Sequence, residues 1–324
     1  RNFSAEYKII NEKKIKFTTI TTGRLQRSFT KHTIPSLLKV PIGTSQSILH
    51  LIKERPNIVV SFGSYLSLPI VFSAWLLGIR SITHEQSSAA GLANKINSHF
   101  VEKVFISFES SKKFFPNSKT ILIGNLIRKS VFKKNTTNTK IKKFVSDKKT
   151  IFVTGGNQGS HVLNKLIFSN IRQFKGFNVL HQIGTANYNE DHITASKITE
   201  KNYMALDYIK SEDIGYVLNN SHLIISRSGA NTITDIAVCQ KPSILIPLPT
   251  SAGGEQLQNA MLLKEAGSAI ILEEKELNAK NINDAILQIE NDYNKFALKA
   301  QKFAKIVKLD AAEKLASFII SDKE

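Results

Sequence analysis

Short apolar runs alternate with longer helical patterns along most of this chain, and this alternation constrains the fold more than any other feature. In the first half the sequence predicts strands at 58–62, 81–84, 104–107 and 120–123, and helices near 66–77 and 91–100. In the second half it predicts strands at 150–154, 178–182, 222–226, 243–246 and 269–272, then a helical tail over 278–320. Repeated strand–turn–helix units require right-handed crossovers between parallel strands. The sequence therefore predicts an α/β protein with doubly wound parallel sheets, whose ligands bind beyond the carboxyl ends of the strands.

The beginning of the chain departs from this pattern. The first residue is Arg1, and residues 1–20 contain only one modest strand candidate, at 16–20. A doubly wound domain is expected to open with a strand, a glycine-rich loop and a helix, so we expect the natural chain to start earlier. Residues 56–79 carry no charge, but Ser, Gly and Pro residues divide them into a strand, a turn and a helix, which argues against a membrane span.

The positive charge is confined to the first half of the chain. Residues 1–149 contain 26 Lys or Arg and 7 Asp or Glu, whereas residues 150–324 contain 18 and 19, and together these give the net charge of +18. A basic half suits contact with an anionic membrane surface or with a nucleic acid. The single cysteine, Cys239, excludes an internal disulfide and is typical of a cytoplasmic protein.

A stretch rich in Lys, Asn and Thr separates the two halves. It spans residues 129–149, and its composition predicts a linker. We therefore predict an N-terminal domain of residues 1–134 and a C-terminal domain of residues 135–324 that ends in helices.

The second half opens with a strand, a glycine-rich turn and the start of a helix, KTIFVTGGNQGS at 149–160. Glycines allow backbone N–H groups to converge on an anion, and the helix N-terminus adds a partial positive charge. A diphosphate would fit such a turn. The alternative, a tight connection without a ligand, stays open on this motif alone.

Four further segments lie where strands are predicted to end. They are FGSY at 62–65, HEQSSAAGLANK at 84–95, SRSGANTITD at 226–235, and PLP at 247–249 leading to GGEQ at 253–256 and NA at 259–260. The carboxyl ends of parallel strands share one edge of a sheet, so these segments are candidates for ligand contacts.

Taken together, these blocks strongly resemble the MurG family, whose members convert lipid I to lipid II by transferring N-acetylglucosamine. Further matching blocks are GNLIR at 124–128, GGNQG at 155–159 and HQIG at 181–184, and the resemblance runs in order through nearly the whole chain. It implies a GT-B fold, with two Rossmann-like domains facing a cleft. The second domain is expected to hold the nucleotide sugar and the first the lipid acceptor.

The resemblance also implies substrate-binding residues, which are Ser87, Arg128, Asn157, Gln158, Ile209, Gly229, Ala230, Asn231, Thr232, Asp235 and Gln256. Asn157 and Gln158 would lie at the diphosphate turn and residues 229–232 under the phosphates. Arg128 would face the donor, Asp235 would bind the ribose hydroxyls, Ile209 would offer backbone contacts to uracil, and Gln256 would bind the sugar.

Each of these assignments has a plainer alternative. Asp235 alone would also suit the first turn of a helix, Arg128 a solvated basic region, and Gln256 a helix start. The sequence departs from the family at Ser64, Ser87, Asn157 and Asp235, which stand where Gly, Asn, Ser and Glu are common. Each keeps hydrogen-bonding capacity, so we expect changed affinity rather than lost function.

The catalytic base is not identified by the sequence. The family's N-terminal glycine-rich loop, which carries a histidine proposed as the base, is missing here. His84 and Glu85 are weak candidates, because a histidine that ends a buried strand is usually structural. For Glu85, a hydrogen bond to the following loop is as plausible as a role in proton transfer.

A membrane-facing surface is the last expectation from the family. Its apolar members are Leu37, Leu38, Val40, Ile42, Ile48, Leu49 and Trp75, and its basic members are Arg24, Arg27, Lys31, His32 and Lys39. Apolar side chains flanked by cations suit docking on anionic lipid, although an ordinary amphipathic core helix is the alternative.

The resemblance thus implies an inverting glycosyltransferase of peptidoglycan synthesis, peripheral on the cytoplasmic face of the bacterial cell membrane. Its substrates would be UDP-N-acetylglucosamine and the C4 hydroxyl of undecaprenyl-diphosphate-linked muramoyl-pentapeptide. We expect no cofactor, no metal and no nucleic-acid partner. Two alternatives stay open, which are another UDP-sugar enzyme of GT-B fold (a glycolipid glycosyltransferase or a UDP-N-acetylglucosamine 2-epimerase) and a non-catalytic nucleic-acid-binding protein.

Overall fold

A computed structural model describes residue 10, residues 14–23 and residues 33–321, with backbone alone for 33–37. The predicted membrane-surface residues Arg24, Arg27, Lys31 and His32 lie outside these described residues, as does the side chain of Leu37. The described residues form two compact units. The first contains the chain up to Glu85 together with 90–106 and 112–121, and the second contains 86–89, 107–111 and everything from Leu122 onward.

The first unit is built on a four-stranded sheet in the order β1-β2-β3-β4. Its elements are α1 (Thr33–Glu54), β1 (Ile58–Ser61), α2 (Ser67–Leu76), β2 (Arg80–Glu85), α3 (Leu92–Phe100), β3 (Lys103–Ile106) and β4 (Thr120–Leu122). Strand β2 pairs in parallel with β1 and with β3, in registers that align Ser61 with Thr83 and Glu85 with Ile106. The four strands and the two helices predicted between residues 58 and 123 are therefore confirmed.

The strand candidate at 16–20 is wrong. These residues have no regular secondary structure. Side chains of α1 hold the segment, because Gln46 Oε1 accepts a hydrogen bond from Thr21 N (2.7 Å) and Glu54 pairs with Lys16 (2.6 Å). Side-chain contacts to a helix thus replace the ladder of backbone hydrogen bonds that a strand needs.

The second unit is built on a six-stranded sheet in the order β10-β9-β8-β5-β6-β7, and its five neighbouring pairs are all parallel. Its strands are β5 (Thr150–Thr154), β6 (Asn178–Gln182), β7 (Tyr203–Leu206), β8 (Leu223–Ser226), β9 (Ser243–Leu245) and β10 (Ala269–Ile271). Its helices are α4 (Thr139–Asp147), α5 (His161–Asn170), α6 (Asp191–Ser196), α7 (Ile214–Asn220), α8 (Ala230–Val238), α9 (Glu255–Glu265), α10 (Ala279–Asn291), α11 (Tyr293–Ala304) and α12 (Ala311–Ser321).

Both faces of this sheet are covered by apolar packing. Along β5, Phe152 belongs to the core on one face, while Ile151 and Val153 belong to the core on the other. Helix α8 packs on the first face through Ile233 and Ile236, and helices α5 and α10 pack on the second. Burial on both faces explains why the central strands are continuous apolar runs rather than alternating ones.

Two features of this half differ from the sequence prediction. Strand β7 was not predicted, and it lies at the edge of the sheet with its four residues only partly buried. The predicted continuous helical tail is instead three helices, α10 to α12, which break at Asp292 and again over residues 305–310. An edge strand gains part of its stability from pairing with its neighbour, which a local pattern does not reveal.

The predicted linker at 129–149 is wrong over residues 139–147. These residues form α4, whose N-cap Asn138 accepts a hydrogen bond from Ile141 N at 3.2 Å. Ile141 and Val145 lie one turn apart and are buried in the core of the second unit, and Val131 is buried there too. The compact units therefore divide the chain elsewhere than at residue 134, although the proposed division into domains 1–134 and 135–324 stays a prediction.

The uncharged stretch at 56–79 folds as the sequence predicts. It contains β1, a turn with positive φ at Gly63 and Ser64, and the ten-residue helix α2. None of the described helices combines the length and apolar character that crossing a bilayer requires.

Replacing Ile141 with Ala should destabilise the protein by about 2–4 kcal/mol, because it opens a cavity in a packed core. Ile141 is 2% exposed. The matched control is Lys143→Ala in the same helix, whose exposed side chain should change the free energy of unfolding by less than about 0.5 kcal/mol. Chemical denaturation measures both, and equal small effects would restore the linker interpretation.

Candidate active site

The backbone of the glycine-rich turn between β5 and α5 packs directly against the backbone of Ile183 and Gly184. Gly156 and Gly159 have φ values of +86° and +87°. A β-carbon added at Gly159 would lie 2.0 Å from the carbonyl oxygen of Ile183, and one added at Gly184 would lie 2.2 Å from Gly159 Cα. Only glycine allows this approach, which explains why GGNQG and HQIG occur together in the sequence.

In this turn the backbone carbonyl groups of Asn157 and Gln158 are hydrogen-bonded, while their backbone N–H groups remain available to an anion. The carbonyl oxygens of Asn157 and Gln158 accept hydrogen bonds from Thr185 N (2.9 Å) and Ala186 N (3.2 Å). Within the described part of the chain, no acceptor binds the backbone N–H of Asn157 or Gln158. With the N-terminus of the ten-residue helix α5 beside them, these amides form an environment suited to phosphate oxygens.

A pocket opens beside this turn, at the carboxyl ends of β5, β6 and β8. Five of the predicted substrate-binding residues line it, namely Arg128, Asn157, Ile209, Thr232 and Asp235. Its other lining residues are Phe152, Thr154, Gly156, Gln182, Tyr208, Ile214, Leu218 and Ile224. The predicted residues Ser87, Gln158, Gly229, Ala230, Asn231 and Gln256 do not line it. The pocket therefore combines an apolar floor with a guanidinium, a carboxylate and a glycine turn.

Arg128 and Asp235 bind each other at one wall of the pocket. Arg128 Nη2 lies 2.5 Å from Asp235 Oδ2, and the two side chains are 47% and 10% exposed. Burial raises the pKa of Asp235 above its ordinary value, and the positive charge of Arg128 opposes this shift. The two residues predicted to contact the diphosphate and the ribose thus neutralise one another in the structure.

Asn125 connects the Arg128 segment to the first turn of α8. Its amide nitrogen donates to Asn231 Oδ1 and Thr234 Oγ1, each at 3.0 Å, and its oxygen accepts from Leu126 N at 2.9 Å. Because Asn125 is buried, these bonds satisfy a group that would otherwise be costly to bury. They fix Arg128 relative to the helix that carries Asp235.

The loop before α8 is closed by side-chain contacts to α9. Gly229 is the N-cap of α8, and Ser228 Oγ donates to the carbonyl oxygen of Gln256 at 2.8 Å. The side-chain oxygen of Gln256 accepts a hydrogen bond from Leu248 N at 3.0 Å. Gln256 therefore joins two loops, and its predicted contact with the sugar stays a prediction.

Comparison with known proteins agrees with these observations. The model of the glycosyltransferase family 28 C-terminal domain matches residues 150–315, and that of the family 28 N-terminal domain matches residues 3–106. The UDP-N-acetylglucosamine–N-acetylmuramyl-(pentapeptide) pyrophosphoryl-undecaprenol N-acetylglucosamine transferase of Clostridium kluyveri is 31% identical over 97% of this chain and 87% of its own length. The transferase of the same name from Borrelia hermsii is 32% identical over 99% of this chain and 86% of its own. The chain belongs to the MurG family. It is accordingly a glycosyltransferase.

The crystal structure of Acinetobacter baumannii MurG shows the same fold. It superposes with a TM-score of 0.73 at 22% identity, covering 98% of this chain and 88% of that one. The predicted GT-B fold class, with two parallel-sheet α/β units, is therefore confirmed.

The HEQSS block of this MurG-family chain is held by internal hydrogen bonds. In the first unit, His84 is fully buried, and Glu85 Oε2 accepts from Gly91 N (2.9 Å) and Asn94 Nδ2 (3.0 Å). In the second unit, the Ser87 hydroxyl donates to the carbonyl oxygen of Ala89, and Ser88 binds Asn259. These contacts agree with a structural role for Glu85, while catalysis by His84 or Glu85 stays a prediction.

Sequence reasoning missed Thr154, Gln182 and Tyr208 as pocket residues. Gln182 is the last residue of the buried strand β6 and stands in the HQIG block, so its position was the available signal. Gln182 Oε1 also accepts the hydrogen bond of Ile209 N at 3.1 Å. Ile209 is predicted to contact uracil through its backbone. Its N–H is therefore already bound within the protein, to Gln182.

A buried chain of hydrogen bonds supports the glycine turn from behind. Because Asn164 Nδ2 donates to Asp191 (2.8 Å), its oxygen faces His181, and His181 Nε2 donates to it at 3.0 Å. His181 Nδ1 then accepts from the Tyr203 hydroxyl (3.0 Å), while His161 Nδ1 donates to the other oxygen of Asp191 (2.8 Å). Burial lowers the pKa of His181 to about 3, so its ring is neutral as this arrangement requires.

Replacing Gly159 with Ala should destabilise the protein by about 3 kcal/mol or more, whereas Gly156→Ala should cost only about 1–2 kcal/mol. Both residues have positive φ, but an added β-carbon at Gly156 meets nothing within 4 Å while one at Gly159 overlaps a carbonyl oxygen. Chemical denaturation of the two variants measures the difference. Equal losses would contradict the backbone packing of the turn.

Proposed function

We propose that this chain converts lipid I to lipid II. It transfers N-acetylglucosamine from UDP-N-acetylglucosamine to the C4 hydroxyl of undecaprenyl-diphosphate-linked muramoyl-pentapeptide. The observation that carries the proposal is the pocket of the second unit, in which a guanidinium, a carboxylate and a glycine turn meet at the carboxyl ends of parallel strands. Relatives at 31–33% identity carry the name of this activity.

The donor nucleotide binds in this pocket of the second unit. The free amides of Asn157 and Gln158 receive phosphate oxygens, and the N-terminus of α8 at Gly229 adds a second set of donors. Asp235 accepts the two ribose hydroxyls, as a carboxylate with two oxygens does well. Arg128 then exchanges its contact with Asp235 for the diphosphate.

Transfer proceeds with inversion at the anomeric carbon. The C4 hydroxyl oxygen attacks this carbon, the bond from the carbon to the diphosphate oxygen breaks, and the hydroxyl proton passes to a base. Arg128 and the helix N-termini stabilise the negative charge that develops on the departing UDP. Each such charge-assisted contact is worth about 2–4 kcal/mol of barrier lowering in comparable sites. The N-terminal domain, residues 1–134, holds the lipid-linked acceptor.

Replacing Asp235 with Ala should weaken binding of UDP-N-acetylglucosamine about tenfold to a hundredfold, because two charge-assisted hydrogen bonds to the ribose are lost. Isothermal titration calorimetry with UDP-N-acetylglucosamine, UDP-glucose and UDP measures this loss and the preference for the N-acetyl sugar. Arg128→Ala should weaken binding by a similar factor. The two losses should not add in the double variant, because the side chains contact each other.

The control for Arg128→Ala is Lys134→Ala, which removes an exposed cation six residues away and should leave affinity unchanged. Transfer itself is followed by incorporation of labelled N-acetylglucosamine into a lipid-linked muramoyl-pentapeptide. Formation of UDP-N-acetylmannosamine without any acceptor would instead identify an epimerase and contradict the proposal. Absence of UDP binding by folded protein would contradict the donor pocket.

The same chain docks on the cytoplasmic face of the membrane, where its lipid-linked acceptor resides. Helix α1 supports this proposal, because Gly43, Ser47 and Leu51 are buried on one face. On this side of the helix, Gly43 lies against Pro69 of α2, and the carbonyl oxygen of Thr44 accepts a hydrogen bond from Ser73 Oγ at 3.2 Å. The opposite face carries four exposed apolar side chains at helical spacing, which are Leu38, Ile42, Leu49 and Ile52. Trp75 on α2 is 52% exposed as well. Such apolar surface in a basic region suits insertion among anionic lipid headgroups.

The double variant Leu38→Glu, Leu49→Glu should reduce binding to phosphatidylglycerol-containing vesicles about tenfold or more, through lost apolar contact and added negative charge. Vesicle co-sedimentation measures the change, and vesicles of phosphatidylcholine alone should bind weakly. The matched control is Leu287→Glu, Leu298→Glu, since both residues are exposed in the second unit. Equal binding by both double variants would rule out this docking face.

A further inference from the structure

Gln182 is a buried amide at which three segments of the second unit meet. It is 4% exposed and lies in the wall of the pocket. Its Nε2 donates to Thr154 Oγ1 (3.2 Å) at the end of β5 and to the carbonyl oxygen of Gly156 (3.1 Å) in the glycine turn. Its Oε1 accepts the N–H of Ile209 at 3.1 Å. The side chain of Gln182 therefore connects the glycine turn to the segment that contains Ile209.

The chemistry of these contacts requires a primary amide. Two donors and one acceptor are in use at a single end group, whereas a carboxylate has no donor when ionised and an ammonium has no acceptor. Thr154 Oγ1 also accepts a hydrogen bond from the N–H of Gly156 at 3.0 Å. The hydroxyl of Thr154 thus binds the N–H of Gly156, and the amide of Gln182 binds its carbonyl oxygen. Removing the amide would leave the buried N–H of Ile209 without its partner.

The contact with Gln182 decides which group of Ile209 is left for a ligand. Its N–H is bound to Gln182, while no donor among the described residues binds its carbonyl oxygen. The segment is anchored on both sides, because Gly184 N donates to Asp207 O (3.1 Å) and Ile214 N donates to Lys210 O (3.1 Å). An acceptor fixed in the wall of a pocket selects a ligand that presents a donor, and uracil presents one at N3.

We propose that Gln182 is the positioning residue for recognition of the uracil base. It holds the backbone at Ile209 so that the carbonyl oxygen accepts the N3–H of uracil, and it holds Gly156 so that the diphosphate of the same nucleotide reaches the turn. Gln182 acts through these backbone groups. This inference rests on the proposed donor pocket, and it assigns the selectivity for uridine nucleotides to a side chain of the pocket wall that acts through the backbone at Ile209.

The experiment compares the affinities for UDP and for UDP methylated at N3, which cannot donate to a carbonyl oxygen. Wild-type protein should bind UDP about tenfold or more tightly than the methylated form, as measured by calorimetry. In Gln182→Met the affinity for UDP should fall about tenfold to a hundredfold and the ratio of the two affinities should approach one. Thr154→Val, which removes one partner of the amide, should shift the ratio in the same direction by less.

The matched control is Asn178→Leu at the opposite end of β6. Asn178 is also a buried amide, but it donates to Phe144 O (2.7 Å) and does not line the pocket. Its replacement should lower the melting temperature and leave the affinity ratio at the wild-type value. A role of Gln182 in stability alone would give this same pattern in Gln182→Met.

Each outcome decides between the inference and the donor pocket. An unchanged ratio in Gln182→Met overturns the inference, and if that variant does not fold, an unchanged ratio in Thr154→Val overturns it. Wild-type protein that binds UDP and its N3-methylated form equally also overturns it, while leaving the donor pocket in place. Wild-type protein that binds neither nucleotide contradicts the donor pocket itself.

Discussion

The parallel pairing of β5 with β6 on one side and β8 on the other is the constraint on which the pocket depends. Thr154, the last residue of β5, is aligned with Gln182 and with Ser226, the last residues of its neighbours. The three following loops therefore leave the sheet at one edge and supply the glycine turn, its packing partner and the start of α8. A slip of one residue would exchange the two faces of a strand, so the apolar core that fixes the register also fixes the pocket.

Two of these loops approach each other closely, and the polar side chains behind the glycine turn are satisfied by hydrogen bonds to one another. The backbone contact of Gly159 with Ile183 leaves no space for side chains between the loops. Behind the turn, five side chains form a network of hydrogen bonds, and each polar group in it has a partner of the correct donor or acceptor type. They are His161, Asp191, Asn164, His181 and Tyr203. Satisfied buried networks rigidify a site, whereas a partly satisfied one would cost more than an apolar core.

Local sequence patterns predicted the features of the fold that depend on neighbouring residues alone, namely the buried strands and the glycine turn. Apolar runs gave nine of the ten strands that the described residues form, and the GGNQG motif located the turn, because burial on both faces and positive φ leave a direct mark on residue choice. The resemblance to MurG proteins then supplied five pocket residues that no spacing in the sequence brings together. Helix α4, strand β7 and the hydrogen-bond partners of Gln182 could not be predicted in this way, although the position of Gln182 at a strand end could. Each depends on contacts with residues distant in the chain, such as Ile141 with the core or Gln182 with Ile209.

The mutual contact of Arg128 and Asp235 could not be predicted from the sequence either. It bears on the ligand selectivity of the proposed donor site. A partly exposed ion pair contributes only about 0–1 kcal/mol, so its exchange for ligand contacts costs little. Burial raises the pKa of Asp235, and the positive charge of Arg128 opposes this shift. In the proposed donor site, a nucleotide that brings both ribose hydroxyls and a diphosphate would replace the partner of each side chain at once. One that lacks either group would leave Asp235 or Arg128 without compensation, so the proposed site would favour ligands that carry both.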